Sequence, residues 1–309
     1  CTAQPFFLFL HYFDPHMPYR APEPYASQYA EDPYGAEIAY VDACVGEMLD
    51  ELRTLGLFDN MLIILTSDHG ESLGEHSETT HGYYIYQSTI HVPLLIKTPG
   101  ETQGKILDDP VGLIDVLPTV LSWIGLKIPS QVEGLDLSPF LLSHQKSGEF
   151  EQRAIYSESL TPSKFGCSSL KGIRWGGWKY IYTNEAELYD LLTDPGESEN
   201  LVHSRSEQTI ALKERLLSLP RGKSPPEQVG NHLSVLRNMG YLGGAILDTV
   251  SSDLEDPKDF IHFYEKLCHV NSLFASQQYQ IAAEAAQQLL SERPDVAEVH
   301  RILADINLE

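Results

Sequence analysis

A short apolar run, Met61 to Leu65, ends abruptly in Thr66-Ser67-Asp68-His69-Gly70, and this junction constrains the chain more than any other stretch. A continuous apolar run bounded by polar turn residues reads as a strand buried on both faces, the kind found in parallel sheets. In open α/β sheets ligands gather at the carboxyl ends of strands, so the adjacent carboxylate and imidazole stand where chemistry is expected. Asp and His are good ligands for a divalent cation, and Gly70 lets the backbone turn tightly beside them. His76 and His81 follow in the same loop. On this segment alone the plainer alternative, a strand-to-loop turn with solvated polar residues, stays open.

The chain before the junction supplies a partner for it. Phe6 to Leu10 is another apolar run and reads as a second buried strand. It empties into a loop where Pro15 and Pro18 bracket His16, excluding helix and stiffening the backbone around the imidazole. Such a histidine is placed to touch a ligand, or else packs on Tyr19. Ala21–Tyr34 reads as an irregular loop. Ala36–Leu55 follows as an amphipathic helix, with Ile38, Val41, Val45, Met48, Leu49 and Leu52 at helical spacing and Gly56 as its stop. Strand, helix and strand in that order predict a right-handed parallel crossover with His16 and Asp68 on one sheet edge.

Beyond the junction, Val92–Lys97 predicts a third strand and Val111–Ile124 a helix whose regular part begins near Asp115, leaving Pro118 tolerated. Shorter segments at Ala154–Leu160, Gly172–Thr183 and Glu187–Asp190 predict a small, partly antiparallel subdomain. Ser206–Leu219 predicts a helix stopped by Pro220. From Asp256 the pattern is helical only. Tyr279, Ala282, Ala286 and Leu289 line one face, and with Pro294 they resemble about one and a half tetratricopeptide repeats; an ordinary helical hairpin is the alternative. The expected organisation is therefore residues 1–145 as part of an α/β core and 146–222 as an α+β subdomain. Residues 223–254 form a linker, and 255–309 the helical repeats.

Composition excludes some functions. A net charge of −23 leaves no basic stripe to neutralise phosphates, so nucleic-acid binding is not expected. A small anionic substrate stays compatible, because a bound cation reverses the field inside one pocket. No apolar run approaches the roughly 20 residues of a membrane span. The cysteines Cys1, Cys44, Cys167 and Cys268 form no CxxC pair and read as free thiols rather than a zinc site.

Several separated stretches together resemble one family, the sulfatases of the alkaline phosphatase superfamily. They are PFFLFLHYFDPHMPYRAP (5–22), AEIAYVDACVGEMLDELRTLGLFDNMLIILTSDHGESLGEH (36–76), HVPLLIKTPG (91–100), LIDVLPTVLSWIGL (113–126), ELYDLLTDPGESENL (187–201) and LRNMGYLGG (236–244). The order and spacing of these motifs make the likeness specific. It implies an alkaline-phosphatase-like α/β sandwich with a mostly parallel central sheet, and hydrolysis of sulfate esters, including those of sulfated glycans. It places Asp68 and His69 on the ligands of one divalent cation, with calcium first and manganese, magnesium or zinc as the other candidates. His16 falls on the histidine that hydrogen-bonds the sulfate group. His81 lies within one residue of a substrate-binding lysine, and His91 stands where an arginine is common. The resemblance also implies export to the periplasm, and the helical tail suggests a protein partner.

One part of the family pattern is missing. The nucleophile is a formylglycine made from Cys or Ser in a Cys/Ser-x-Pro/Ala-x-Arg motif, and none of the four cysteines has that context. The expectation is that an upstream segment supplies it, with further metal ligands, and that this polypeptide alone does not turn over sulfate esters. Two other functions remain: a phosphodiester or phosphonate hydrolase, or phospho-group transferase, on the same fold, and a non-catalytic interaction protein built on the repeats.

Overall fold

The computed structural model describes residues 5–101, 104–142, 153–219 and 250–308. Most of the expected linker 223–254, and the motif at 236–244, therefore lie outside the described residues. The chain folds as two compact units, Cys1–Thr66 with Leu94–Lys105, and Ser67–Pro93 with Ile106–Glu309. Among the described residues no helix is long and apolar enough to cross a membrane.

The first unit is built on α1 (Pro33–Thr54), a strand β1 (Ile63–Thr66) and a strand β2 (Leu94–Lys97). Asp32 caps α1, its carboxylate accepting from Gly35 N at 2.9 Å, with Pro33 in the first turn where its missing N–H costs nothing. Gly56, at φ +68°, takes the left-handed position that ends the helix. Strands β1 and β2 pair antiparallel, Ile63 opposite Lys97 and Thr66 opposite Leu94. Lys97 Nζ donates to the carbonyls of Phe58, Asp59 and Met61 at 2.6–3.1 Å, closing the turn before β1.

Two expectations are corrected here. The described central sheet is antiparallel, not mostly parallel. A parallel pair needs a long crossover, usually a helix, between its strands, and the stretch from β1 to β2 holds only the short helical turns Glu75–Ser77 and Gln87–Ile90. Phe6–Leu10 forms no strand. All five side chains are exposed, Phe7 by 86%. An apolar run becomes a strand only where a neighbouring strand meets its N–H and C=O groups, and no described strand pairs with this one. Without it, the crossover that was to align His16 with Asp68 is not formed.

The second unit carries a four-stranded antiparallel sheet in the order β3 (Ala154–Ser159), β4 (Leu170–Trp175), β5 (Trp178–Tyr182) and β6 (Glu187–Asp190). Helix α2 (Val116–Trp123) begins after Asp115, with Pro118 buried in its first turn. Asp115 is fully buried and pairs with Arg153 through both carboxylate oxygens while accepting from Gly112 N and Leu135 N. Helix α3 (Ser206–Ser218) covers one sheet face through Leu212 and Leu216.

Helices α4 (Pro257–Ala275), α5 (Tyr279–Glu292) and α6 (Ala297–Ile306) form no separate core. Phe260, Phe263, Leu267, Ala282, Ala286, Leu289 and Val299 share one buried cluster with Tyr83–Tyr86, Leu170 and Ile181. Asp256 locks the entry to α4. One oxygen caps Lys258 N at 2.9 Å, and the other accepts from Thr183 Oγ1 and Glu185 N.

The segment after the Asp68-His69 junction is pinned at many points. Ser72 N donates to Thr80 O and Gly74 N to Glu78 O, at 2.8 and 2.9 Å. Tyr86 Oη donates to Glu187 at 2.8 Å, and Gln87 N donates to Glu197 at 2.5 Å. Glu197 in turn lies 2.5 Å from Lys179 Nζ, with both side chains 1% exposed. Burial pulls the Lys179 ammonium down to about 8 despite that partner. Glu78 is fully buried and accepts from the N–H groups of Tyr83 and Tyr84. Burial pushes its carboxyl up from 4.5 to about 7, against those two hydrogen bonds.

Breaking the buried ion pair with Glu197→Gln is expected to cost about 3–5 kcal/mol in urea unfolding. The double variant Lys179→Met/Glu197→Leu should lose much less, because no charge is then left without its partner. Glu78 makes stability depend on pH. Its folded value is raised, so its contribution is complete below about 4.5 and disappears as pH climbs through about 7. Glu78→Gln should remove on the order of 3 kcal/mol of that loss, read as a smaller stability difference between pH 4.5 and pH 8 than in the parent protein.

Candidate active site

Asp68, His69 and His81 come together in the second unit. Gly70 fixes the junction by close approach rather than by an unusual turn. Its N–H donates to Thr89 O at 2.7 Å, and a Cβ there would stand 2.2 Å from Ser88 O. No side chain is tolerated at that spacing. Ser67 Oγ donates to His69 O at 2.6 Å, and His69 N donates to Asp68 Oδ1 at 3.0 Å. His69 Nδ1 lies 2.9 Å from Gly70 O. A carbonyl only accepts, so Nδ1 carries the proton and Nε2 carries the lone pair of the neutral ring. Nε2 is 3.7 Å from Asp68 Oδ1, and the Asp68 side chain is 65% exposed.

His81 stacks on His69 with ring centroids 3.9 Å apart. Its Nδ1 faces the Glu71 carboxylate at 3.2 and 3.3 Å, and the Glu71 side chain is 3% exposed. A carboxylate accepts, so the contact places a ring proton on Nδ1. Sequence reading passed over Glu71, although it stands two residues past the Asp-His pair. His76 stacks on Tyr86 at 3.6 Å and has φ +53°, a left-handed conformation rarely taken by a side-chain-bearing residue.

His16 lies in the first unit. Its N–H and that of Arg20 both donate to the buried carboxylate of Glu37 on α1, so the helix holds the loop by its backbone. The ring stacks on Phe13 at 4.5 Å, and Nδ1 donates to Met17 O at 2.7 Å. His91 follows the Gln87–Ile90 turn and caps it, its N–H donating to Gln87 O.

The donors at Asp68 and His69 fit a divalent cation. Ligand distances of about 2.0–2.6 Å allow two donor atoms of one ion to stand 3.7 Å apart, and the His69 tautomer leaves a lone pair on the nitrogen nearer the carboxylate. Among the described residues no group of three or more His, Cys, Asp or Glu side chains is placed to hold a metal.

Comparison with known proteins agrees with the motif order. The family model described as Sulfatase matches residues 2–126, and the one described as N-sulphoglucosamine sulphohydrolase, C-terminal, matches residues 74–221. Arylsulfatase K of Canis lupus familiaris is 32% identical over 194 residues, which are 60% of this chain and 36% of that protein. The chain thus spans about a third of the length of that relative. Among solved structures, BT4656 in complex with its substrate D-glucosamine-2-N,6-O-disulfate aligns with a TM-score of 0.52 at 28% identity, over 60% of this chain and 39% of that one. The phosphonate monoester hydrolase from Silicibacter pomeroyi aligns with a TM-score of 0.53 at 26% identity, over 60% of this chain and 40% of that one. Two overlapping family matches that together span residues 2–221, with relatives named as sulfatases, support a sulfatase of the alkaline phosphatase superfamily.

Proposed function

We propose that the full-length protein hydrolyses sulfate esters, with a sulfated sugar as the substrate class. The observation that carries this reading is the Asp68-His69 pair with His81 stacked on it and oriented by a buried carboxylate. Asp68 and His69 Nε2 would hold the divalent cation, calcium first, which when bound neutralises charge on the sulfate oxygens. His81 acts at Nε2, passing a proton to the alcohol oxygen as the S–O bond breaks. Glu71 steadies the imidazolium that forms when Nε2 is protonated. By the family resemblance alone, His16 in the first unit is the candidate for a hydrogen bond to the sulfate group.

The nucleophile is a formylglycine from outside this chain. The thiols inside it fit that reading, since burial pushes both Cys167 and Cys268 up to about 12 and keeps them protonated. The helices α4 to α6 are read as tetratricopeptide-like repeats offering a surface to a protein partner. A sugar sulfate is favoured by the relative solved with a glucosamine disulfate. A phosphonate or phosphate diester is the second substrate class, favoured by the likeness to a phosphonate monoester hydrolase.

Sulfated glucosamine, an aryl sulfate and an aryl phosphonate offered to the full-length protein should give the highest kcat/KM on the sulfated sugar; a preference for the phosphonate reverses the assignment. His81→Ala should lower kcat on alkyl sulfates by about 10²–10⁴-fold, and far less on a nitrophenyl sulfate, whose leaving group needs no proton. Equal losses on both would remove His81 from the proton-transfer role. Asp68→Asn should reduce the bound divalent metal measured by elemental analysis of the purified full-length protein, whatever substrate is used.

A further inference from the structure

The loop that carries His81 is held from a distant part of the chain. Glu265, on α4, accepts from Thr79 N at 3.1 Å and from Thr79 Oγ1, a contact spanning 186 positions in sequence. Both donors of one residue thus end on one carboxylate. The two ends of the same short segment are closed from other directions. Thr80 O accepts from Ser72 N, Gly82 O accepts from Ser159 Oγ at 2.7 Å, and Tyr83 N donates to Glu78 at 2.8 Å. Tyr83 then stacks on Tyr264, the residue before Glu265, at 4.4 Å, and its hydroxyl donates to Pro257 O at 2.9 Å. Helix α4 therefore grips the loop on both sides of His81, at Thr79 and at Tyr83.

We propose that Glu265 is a positioning residue for His81, and that α4 is a brace for the active-site loop rather than only part of a separate interaction surface. The catalytic half of this proposal rests on the sulfatase reading above; the structural half does not. Glu71 sets the plane of the imidazole, but only if the backbone of residue 81 stays where Glu71 can reach it. Thr79 lies two residues before His81, so releasing its N–H and hydroxyl frees the backbone that carries the ring. Misplacement of a catalytic group by about 1 Å costs on the order of 10²-fold in rate. Glu265 acts through Thr79, so the loss is expected on kcat with KM nearly unchanged.

The test uses the full-length protein with Glu265→Ala, Glu265→Gln and Thr79→Val, and with Lys266→Ala as a control on the exposed side of the same helix. Amide hydrogen exchange is read across residues 78–84. Glu265→Ala should speed exchange at Thr79, Tyr83 and Tyr84 by tenfold or more without changing exchange in α5 and α6. On a sulfated sugar it should lower kcat by about 10- to 100-fold at near-constant KM. Glu265→Gln keeps an acceptor oxygen and should recover part of both effects. Thr79→Val should lower kcat, and combined with Glu265→Ala it should add less than the sum of the two. Unchanged exchange at 79–84 in Glu265→Ala overturns the brace. Faster exchange with unchanged kcat overturns the positioning of His81. If the parent protein turns over no sulfate ester, the sulfatase reading fails by itself, and the exchange result still decides the brace.

Discussion

Four consecutive buried residues, Tyr83, Tyr84, Ile85 and Tyr86, anchor the buried cluster of the second unit in which side chains of β4, β5, β6 and α4 to α6 meet. Burying large side chains is worth about 1.5–3 kcal/mol apiece, but a buried tyrosine also brings a hydroxyl that must find a partner. Here Tyr83 gives its proton to a carbonyl at the start of α4 and Tyr86 gives its own to Glu187 on β6. Burial drives both hydroxyls far above their ordinary range, which keeps them protonated and acting as donors. The same rings that fill the core therefore also set the direction of the segment. His81 lies two residues upstream of this anchor, so its position follows from packing and not from loop chemistry alone.

The charge around this loop bears on the proposed cation. The chain carries a net charge of −23, and the groups closest to His81 include the carboxylates of Glu71 and Glu78. An anionic ester approaching this loop meets negative charge unless a positive centre intervenes. On the proposed reading, a cation held by Asp68 and His69 would offset this. The raised carboxyl of Glu78 fits the same balance: buried beside Glu265, it is driven toward its neutral form.

The parts legible in sequence were those governed by local pattern. The spacing of apolar residues located α1, α2, α3 and α5 to within a few positions, and the alternating segments at 154–190 fall on the four strands of the antiparallel sheet. Residue type and motif order marked the Asp68-His69 pair and His81 as candidates, and the structure brings the His69 and His81 rings together. Pairing was not legible. An apolar run such as Phe6–Leu10 records a preference for burial, but whether it becomes a strand depends on a partner elsewhere in the chain. The direction of β1 against β2 is likewise set by their connection and not by either strand. Glu71 and Glu37 escaped notice because a single acidic residue on a loop or helix reads as solvated surface until its hydrogen-bond donors are known.

The helical tail shows the same limit in a sharper form. Repeat motifs encode how neighbouring helices pack on each other, and Ala282, Ala286 and Leu289 are buried. They say nothing about the face turned toward the rest of the protein. That face is made by Phe260, Phe263 and Tyr264, which meet Phe165 and the Tyr83 segment. A repeat array that behaved as an independent platform would keep its own core and place only polar residues at this boundary. Here the boundary is aromatic, and it is fastened by Asp256 at the helix start and Glu265 two turns on. Loosening α4 would therefore expose apolar surface and free the backbone around His81 at Thr79 and Tyr83.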